Sequence, residues 1–191
     1  DGLGNPKNIR SFLGVKGTGP FRWQGEAPTI GAHECGPTVS GAMRGPELSE
    51  SDLAALTAFV TELPLMPNPY RGPHGEFSEA AERGLQIFQK NDRCSQCHAT
   101  ERYSISESRD VGLGPGRPDD IALSDTATIR KNEFDIPHLL GVWDSAPYLH
   151  DGRAKTLLEI FQQHNPNDEH GQTSDLTAEE QRDLVEYLKT L

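Results

Sequence analysis

Apolar positions recur at helical spacing in three places along the chain. Leu53, Leu56, Val60 and Leu63 form one stripe, Ala81, Leu85 and Phe88 a second, and Leu184, Leu188 and Leu191 a third. Each stripe follows a start signal. Ser49 with Asp52 and Thr177 with Glu180 have the spacing of a capping box, and Ser78 stands before the middle stripe. The pattern predicts helices over residues 49–63, 77–89 and 177–191. Elsewhere apolar residues come in short runs such as Ile136-Pro137-His138-Leu139-Leu140-Gly141-Val142-Trp143, far below the ~20 residues of a membrane span.

The pattern also repeats. Residues 13–30 align without a gap on residues 140–157 at an offset of 127, pairing Leu13 with Leu140, Gly14 with Gly141, Pro20 with Pro147, Phe21 with Tyr148 and Gly25 with Gly152. Residues 48–63 align on 176–191 at an offset of 128, pairing Ser49 with Thr177, Leu56 with Leu184, Phe59 with Tyr187 and Leu63 with Leu191. Two blocks at nearly one offset predict two related units. Met66-Pro67-Asn68-Pro69-Tyr70-Arg71-Gly72-Pro73 reads as the linker between them, which divides the chain into residues 1–70 and 71–191.

Composition adds limits. The 191 residues suffice for one ordinary domain or two small ones, and 34% hydrophobic content with 19 Gly and 14 Pro predicts long irregular loops between the helices. A net charge of -11 disfavours nucleic acid as a partner, because phosphates need clustered Lys and Arg. Gly112, Gly114 and Gly116 alternate with Leu113 and Pro115 in a loop without phosphate-binding character.

Cysteine usage is sharper. Two of the three Cys stand in Cys94-Ser95-Gln96-Cys97-His98, the spacing of covalent c-type haem attachment. Two thiols three positions apart on a helix-fed turn each add to one haem vinyl group, and the next residue offers imidazole to the iron. A zinc site would need a second Cys/His pair at ligand spacing, and none is nearby. A thioredoxin-like pair would follow a strand, whereas the segment before Cys94 has helical period. The expectation is a single covalent haem c, with Cys94 and Cys97 attached and His98 as metal ligand. Covalent attachment occurs outside the cytoplasm, so a periplasmic or otherwise exported location follows. Residue 1 is Asp and no signal peptide is visible, so the chain is expected to be processed or a fragment. Subtracting the offset from Cys94 puts the first unit's haem motif before residue 1. Residues 1–70 therefore read as the latter part of a first cytochrome-c-like unit. Its haem would be held mainly by an adjoining haem-bearing segment or chain.

The stretch Ala146-Pro147-Tyr148-Leu149-His150-Asp151-Gly152-Arg153, placed between the haem motif and the closing helix, resembles the C-terminal half of the di-haem cytochrome c peroxidases, including MauG-like members. The resemblance implies a mainly α fold of cytochrome-c-like haem domains. It implies either electron transfer to a redox partner protein or peroxidase-like, oxygen-activating oxidoreductase chemistry. In the family the sixth ligand of the second haem is a Met some 14 residues beyond the motif's His. Here that count lands on His164, which becomes the expected distal metal ligand, with His150 and His170 as alternatives and His138 a further candidate. His150 is also expected near the haem, and Arg153 as a partner of its propionates. Of His33, Cys35 and Met43, one is a candidate ligand for the first unit's haem, while Cys35 also reads as a buried small hydrophobe. Trp23 and Trp143 read as core or haem-packing aromatics.

Overall fold

The start signals set the helices of the computed structural model, which describes residues 8–114 and 133–191. Helix α1 spans Glu50–Thr61, α2 Glu79–Gln89, α3 Leu157–Gln163 and α4 Ala178–Lys189. Thr177 and Glu180 close a complete capping box on α4. At α1 the Ser49 hydroxyl accepts from the Asp52 amide but also donates to the Asp52 carboxylate, so only half of the predicted box forms. Helix α3 was not foreseen; Thr156 caps it through the Glu159 amide, and it is too short to show a period. The strands β1, Ser108–Asp110, and β2, Glu133–Asp135, pair antiparallel with Arg109 opposite Phe134. Helices dominate, as expected. Gly116 of the glycine loop lies outside the described residues.

Helix α2 packs across α4, and the contact is close. A Cβ on Gly84 would overlap the Asp183 carbonyl oxygen. The Tyr187 ring takes Phe88 edge-on at 5.2 Å and Phe77 at 5.9 Å. Arg83 grips Asp183 with two bonds of 2.6 and 2.8 Å. Gly84→Ala must therefore push α2 off α4, and urea unfolding should show a loss of about 1–3 kcal/mol, or more if the backbone cannot shift. An unchanged midpoint would mean the helices are not in this register.

The repeated segments share local geometry. Gly14 and Gly141 both take left-handed φ, 69° and 72°, a region that costs other residues strain. Their amides donate to Leu63 O and Leu191 O, the last positions of the aligned helical blocks, each at 3.1 Å. Phe21 bridges Ala27 as Tyr148 bridges Ala154. Each segment also meets the residues just before the other: Asn8 N donates to His150 O at 2.7 Å, and Asp135 N, 127 residues after Asn8, donates to Trp23 O, 127 residues before His150, at 2.9 Å. Such an exchange is the signature of a two-fold-like contact between equivalent surfaces.

Other features diverge. Where α3 follows the second repeated segment, the first continues into two wide turns of π-helical pattern, Gly31–Cys35 and Thr38–Ala42. One core gathers Phe88, Tyr148, Leu184 and Tyr187; a smaller one gathers Val15, Ile30, Cys35 and Val60. Cys35 is thus a buried apolar side chain.

Candidate functional site

The walls of the main cavity come from both repeated segments. Phe88, Phe134, Leu149, Ile160 and Leu188 supply apolar surface, while Trp23 of the first repeated segment and Asn8 to Ser11 just before it reach in. The polar groups on the wall include Arg10, Arg93 and Arg109. Arg10 is fixed there by Asp135 at 3.0 Å and lies over the Trp23 ring at 5.4 Å.

Helix α2 and the turn Lys90–Asp92 deliver the chain into Cys94, whose amide donates back to Phe88 O at 3.2 Å. One helical turn follows, with Cys97 N and His98 N both donating to Cys94 O, at 3.2 and 2.9 Å. Cys94, Cys97 and His98 thereby share one wall of the cavity. Both thiols are free. Burial pushes the Cys94 thiol up to about 12, outweighing the neighbouring Arg93. A redox pair needs the opposite, a depressed thiol that attacks as thiolate. A protonated thiol suits addition of S–H across a vinyl group.

His98 is oriented by its Nδ1, which donates to Tyr103 O at 2.8 Å. The Tyr187 hydroxyl donates to that of Tyr103 at 3.3 Å, tying this support to α4. Burial holds the His98 imidazole below its ordinary value, against hydrogen bonds to Tyr103 and Pro137 carbonyls. His98 is therefore neutral at pH 7, the state that binds metal.

Across the cavity stands His170. Its ring centroid lies 6.4 Å from that of His98, the planes inclined by 46°. An imidazole nitrogen sits about 2.0–2.1 Å from a bound metal and about 1.1 Å from its own ring centre, so two imidazoles on opposite sides of one ion stand about 6.3 Å apart. The spacing matches. His170 Nδ1 is buried without a hydrogen-bond partner among the described residues, and burial, then His98, push its pKa down to about 4. Among the described residues no three His, Cys, Asp or Glu side chains gather to hold an ion alone. An ion here would draw its remaining ligands from elsewhere, as iron does from porphyrin. The residues present fit a haem.

The other expected residues fall variously. His164 ends α3 and is not on the cavity wall. His150 is on the wall, wholly buried, stacked on Phe134 at 4.2 Å and edge-on to Trp23 at 6.4 Å. Arg153 lies off the wall, bonded to Asp151 at 2.8 Å and to Leu113 O at 3.2 Å. His33 is exposed, with Thr29 Oγ1 at 2.9 Å, and Met43 is 71% exposed. Trp143 meets Tyr70 instead of the cavity. Arg10 escaped the sequence reading, since it is recognisable only by its meeting with Asp135.

His138, also on the wall, is pushed down to about 4 by burial and by Arg10 and Arg102. The unfolded chain protonates this side chain near about 6.5. The unfolded state then binds more protons between those values, so His138 costs stability as pH falls from about 6.5 toward 4. Urea midpoints of the wild type should fall from pH 7 to pH 5, and His138→Gln should flatten that slope. Parallel slopes would show that His138 already carries its proton when folded.

No family model matches the chain. The gamma subunit of hydrazine synthase from Kuenenia stuttgartiensis is 30% identical over 232 aligned positions, covering 100% of this chain and 66% of that protein. A solved hydrazine synthase from the same organism superposes with a TM-score of 0.79 at 30% identity, over 97% of this chain and 72% of the other. MauG of Methylorubrum extorquens is 27% identical over 153 residues, 72% of this chain and 43% of its own length. The chain belongs to the MauG-like family of di-haem cytochrome c peroxidases. A MauG-like protein associated with microbial copper homeostasis shares the fold at TM-score 0.69 and 21% identity, covering 97% of this chain. The chain spans just under two thirds of the hydrazine synthase subunit and under half of MauG. Family members are haem proteins, and no described helix here is long and apolar enough to cross a membrane.

Proposed function

We propose that this chain is an electron-transfer unit of a di-haem assembly. Cys94 and Cys97 attach one haem c, His98 is its proximal ligand and His170 its distal ligand. The observation that carries this reading is the 6.4 Å separation of the two facing imidazoles. Bound there, haem supplies one-electron chemistry. The protein's part would be to hold the iron through the neutral imidazoles of His98 and His170, leaving no position open to solvent, which would favour one-electron relay over peroxide activation. Arg10 holds a positive charge on the wall, suited to a propionate. His150 packs between Phe134 and Trp23 on the same wall.

Residues 1–70 are, in this reading, the distal part of a first unit. Tyr187 of α4 is 2% exposed under α2, while its counterpart Phe59 on α1 is 66% exposed. A helix like α2, leading into a second haem motif and supplied by an adjoining segment or chain, would cover Phe59. Peroxidase-like or oxygen-activating chemistry would belong to that second haem. The hydrazine synthase likeness favours assembly with other subunits, and covalent haem attachment favours an exported, periplasmic setting.

The test is to mix the haem-loaded ferric protein with hydrogen peroxide and follow its spectrum. The bands should stay unchanged while a one-electron donor reduces the protein fully. Rapid spectral conversion by peroxide would instead assign the reactive role to this haem.

A further inference from the structure

His170 sits in a loop without regular structure, yet its position is closely determined. Asn165, 4% exposed, accepts from His170 N at 2.8 Å through Oδ1 and donates through Nδ2 to Gly171 O at 2.7 Å and Thr173 Oγ1 at 2.8 Å. One buried amide thus holds both sides of the His170 backbone. Asp168 accepts from Thr173 N at 2.8 Å and Ser174 N at 2.9 Å, closing the loop on itself. Arg93, next to Cys94 and with a side chain only 3% exposed, donates to both oxygens of Asp175 at 2.5 and 2.8 Å. A Cβ on Gly171 would stand 2.9 Å from Arg93 O, and Gly171 has φ +80°, so the loop is pressed against the segment that carries the cysteines.

We propose that Asn165 is the positioning residue of the distal ligand: with Arg93–Asp175 as anchor, it presets His170 over the cavity opposite His98. This rests on His170 being the distal ligand. A loop held this way does not need the metal to bring the imidazole into place, so the ligand stays bound when iron is reduced. The reduced protein then admits small ligands only slowly. Three partners on one buried amide make the side chain hard to replace, since its loss leaves each of them unsatisfied at a buried or half-buried position.

The probe is carbon monoxide added to the haem-loaded, dithionite-reduced protein, with the ferric spectrum read beforehand. Wild type should stay low-spin and bind carbon monoxide slowly. Asn165→Leu should show high-spin ferric bands and at least 10-fold faster carbon monoxide binding. Thr173→Val, nearly the same shape without the hydroxyl, should move both readouts in the same direction by less, and decides the matter if Asn165→Leu does not fold. Asn68→Ala, which removes an amide bonded to Lys189 O at 2.8 Å, should leave both unchanged. Variants as inert as wild type, or Asn68→Ala behaving like Asn165→Leu, would overturn the proposal. If His170→Ala is inert as well, it is the ligand assignment that has failed; if only His170→Ala opens the site, the positioning role alone is lost.

Discussion

In His170→Ala, the ferric protein should change from a low-spin to a high-spin or water-bound spectrum, with carbon monoxide and peroxide gaining access to the iron. His164→Ala should leave every band in place. The contrast follows from geometry: the His98 and His170 rings face each other at 6.4 Å, and His164 is off the cavity wall at the end of α3. His170→Met should keep the iron six-coordinate and raise its potential by on the order of 100 mV, because a thioether favours ferrous iron more than imidazole does. Optical and potentiometric titration of the three variants checks all of this. A spectral change in His164→Ala matched by silence in His170→Ala would reverse the assignment.

The second large effect concerns attachment. Replacing Cys94 and Cys97 together with Ala should leave no haem on the denatured chain, whereas the wild type should exceed its polypeptide mass by one haem and resist acid-acetone extraction. Each single replacement should keep one thioether and a shifted reduced spectrum. Cys35→Ala should leave haem content unchanged, since Cys35 belongs to the separate core of Val15, Ile30 and Val60, and should cost about 1 kcal/mol or less of stability from the small cavity. Mass spectrometry under denaturing conditions decides the point. Extractable haem in the wild type would remove covalent attachment from the account.

Local features were legible in the sequence and long-range ones were not. The helices α1, α2 and α4 were announced by Ser49, Ser78 and Thr177, because capping acts within four residues. The 94–98 motif spans five residues and forms one turn. By contrast, β1 and β2 pair only three residues each across a long connection, and α3 is seven residues without a period of its own. The fixed count pointed to His164, whereas His170 lines the cavity and His164 does not, and the reason is physical. Counting a fixed spacing to His164 assumed a loop of family length, but Asn165 folds the following residues back on themselves and brings His170 to the cavity. Arg10 and Asp135 are 125 residues apart, and only the reciprocal contact of the repeated segments joins them. The repeat itself was visible as an offset, while the exchange of backbone bonds it produces was not.

The central claim is that two imidazoles, from His98 and His170, hold one iron in this cavity. The most direct measurement is the ferric optical and electron paramagnetic resonance spectrum of the haem-loaded chain. The account predicts a wholly low-spin signal of bis-imidazole type, without the near-infrared band that sulfur ligation produces. A high-spin signal, or that sulfur band, would contradict it.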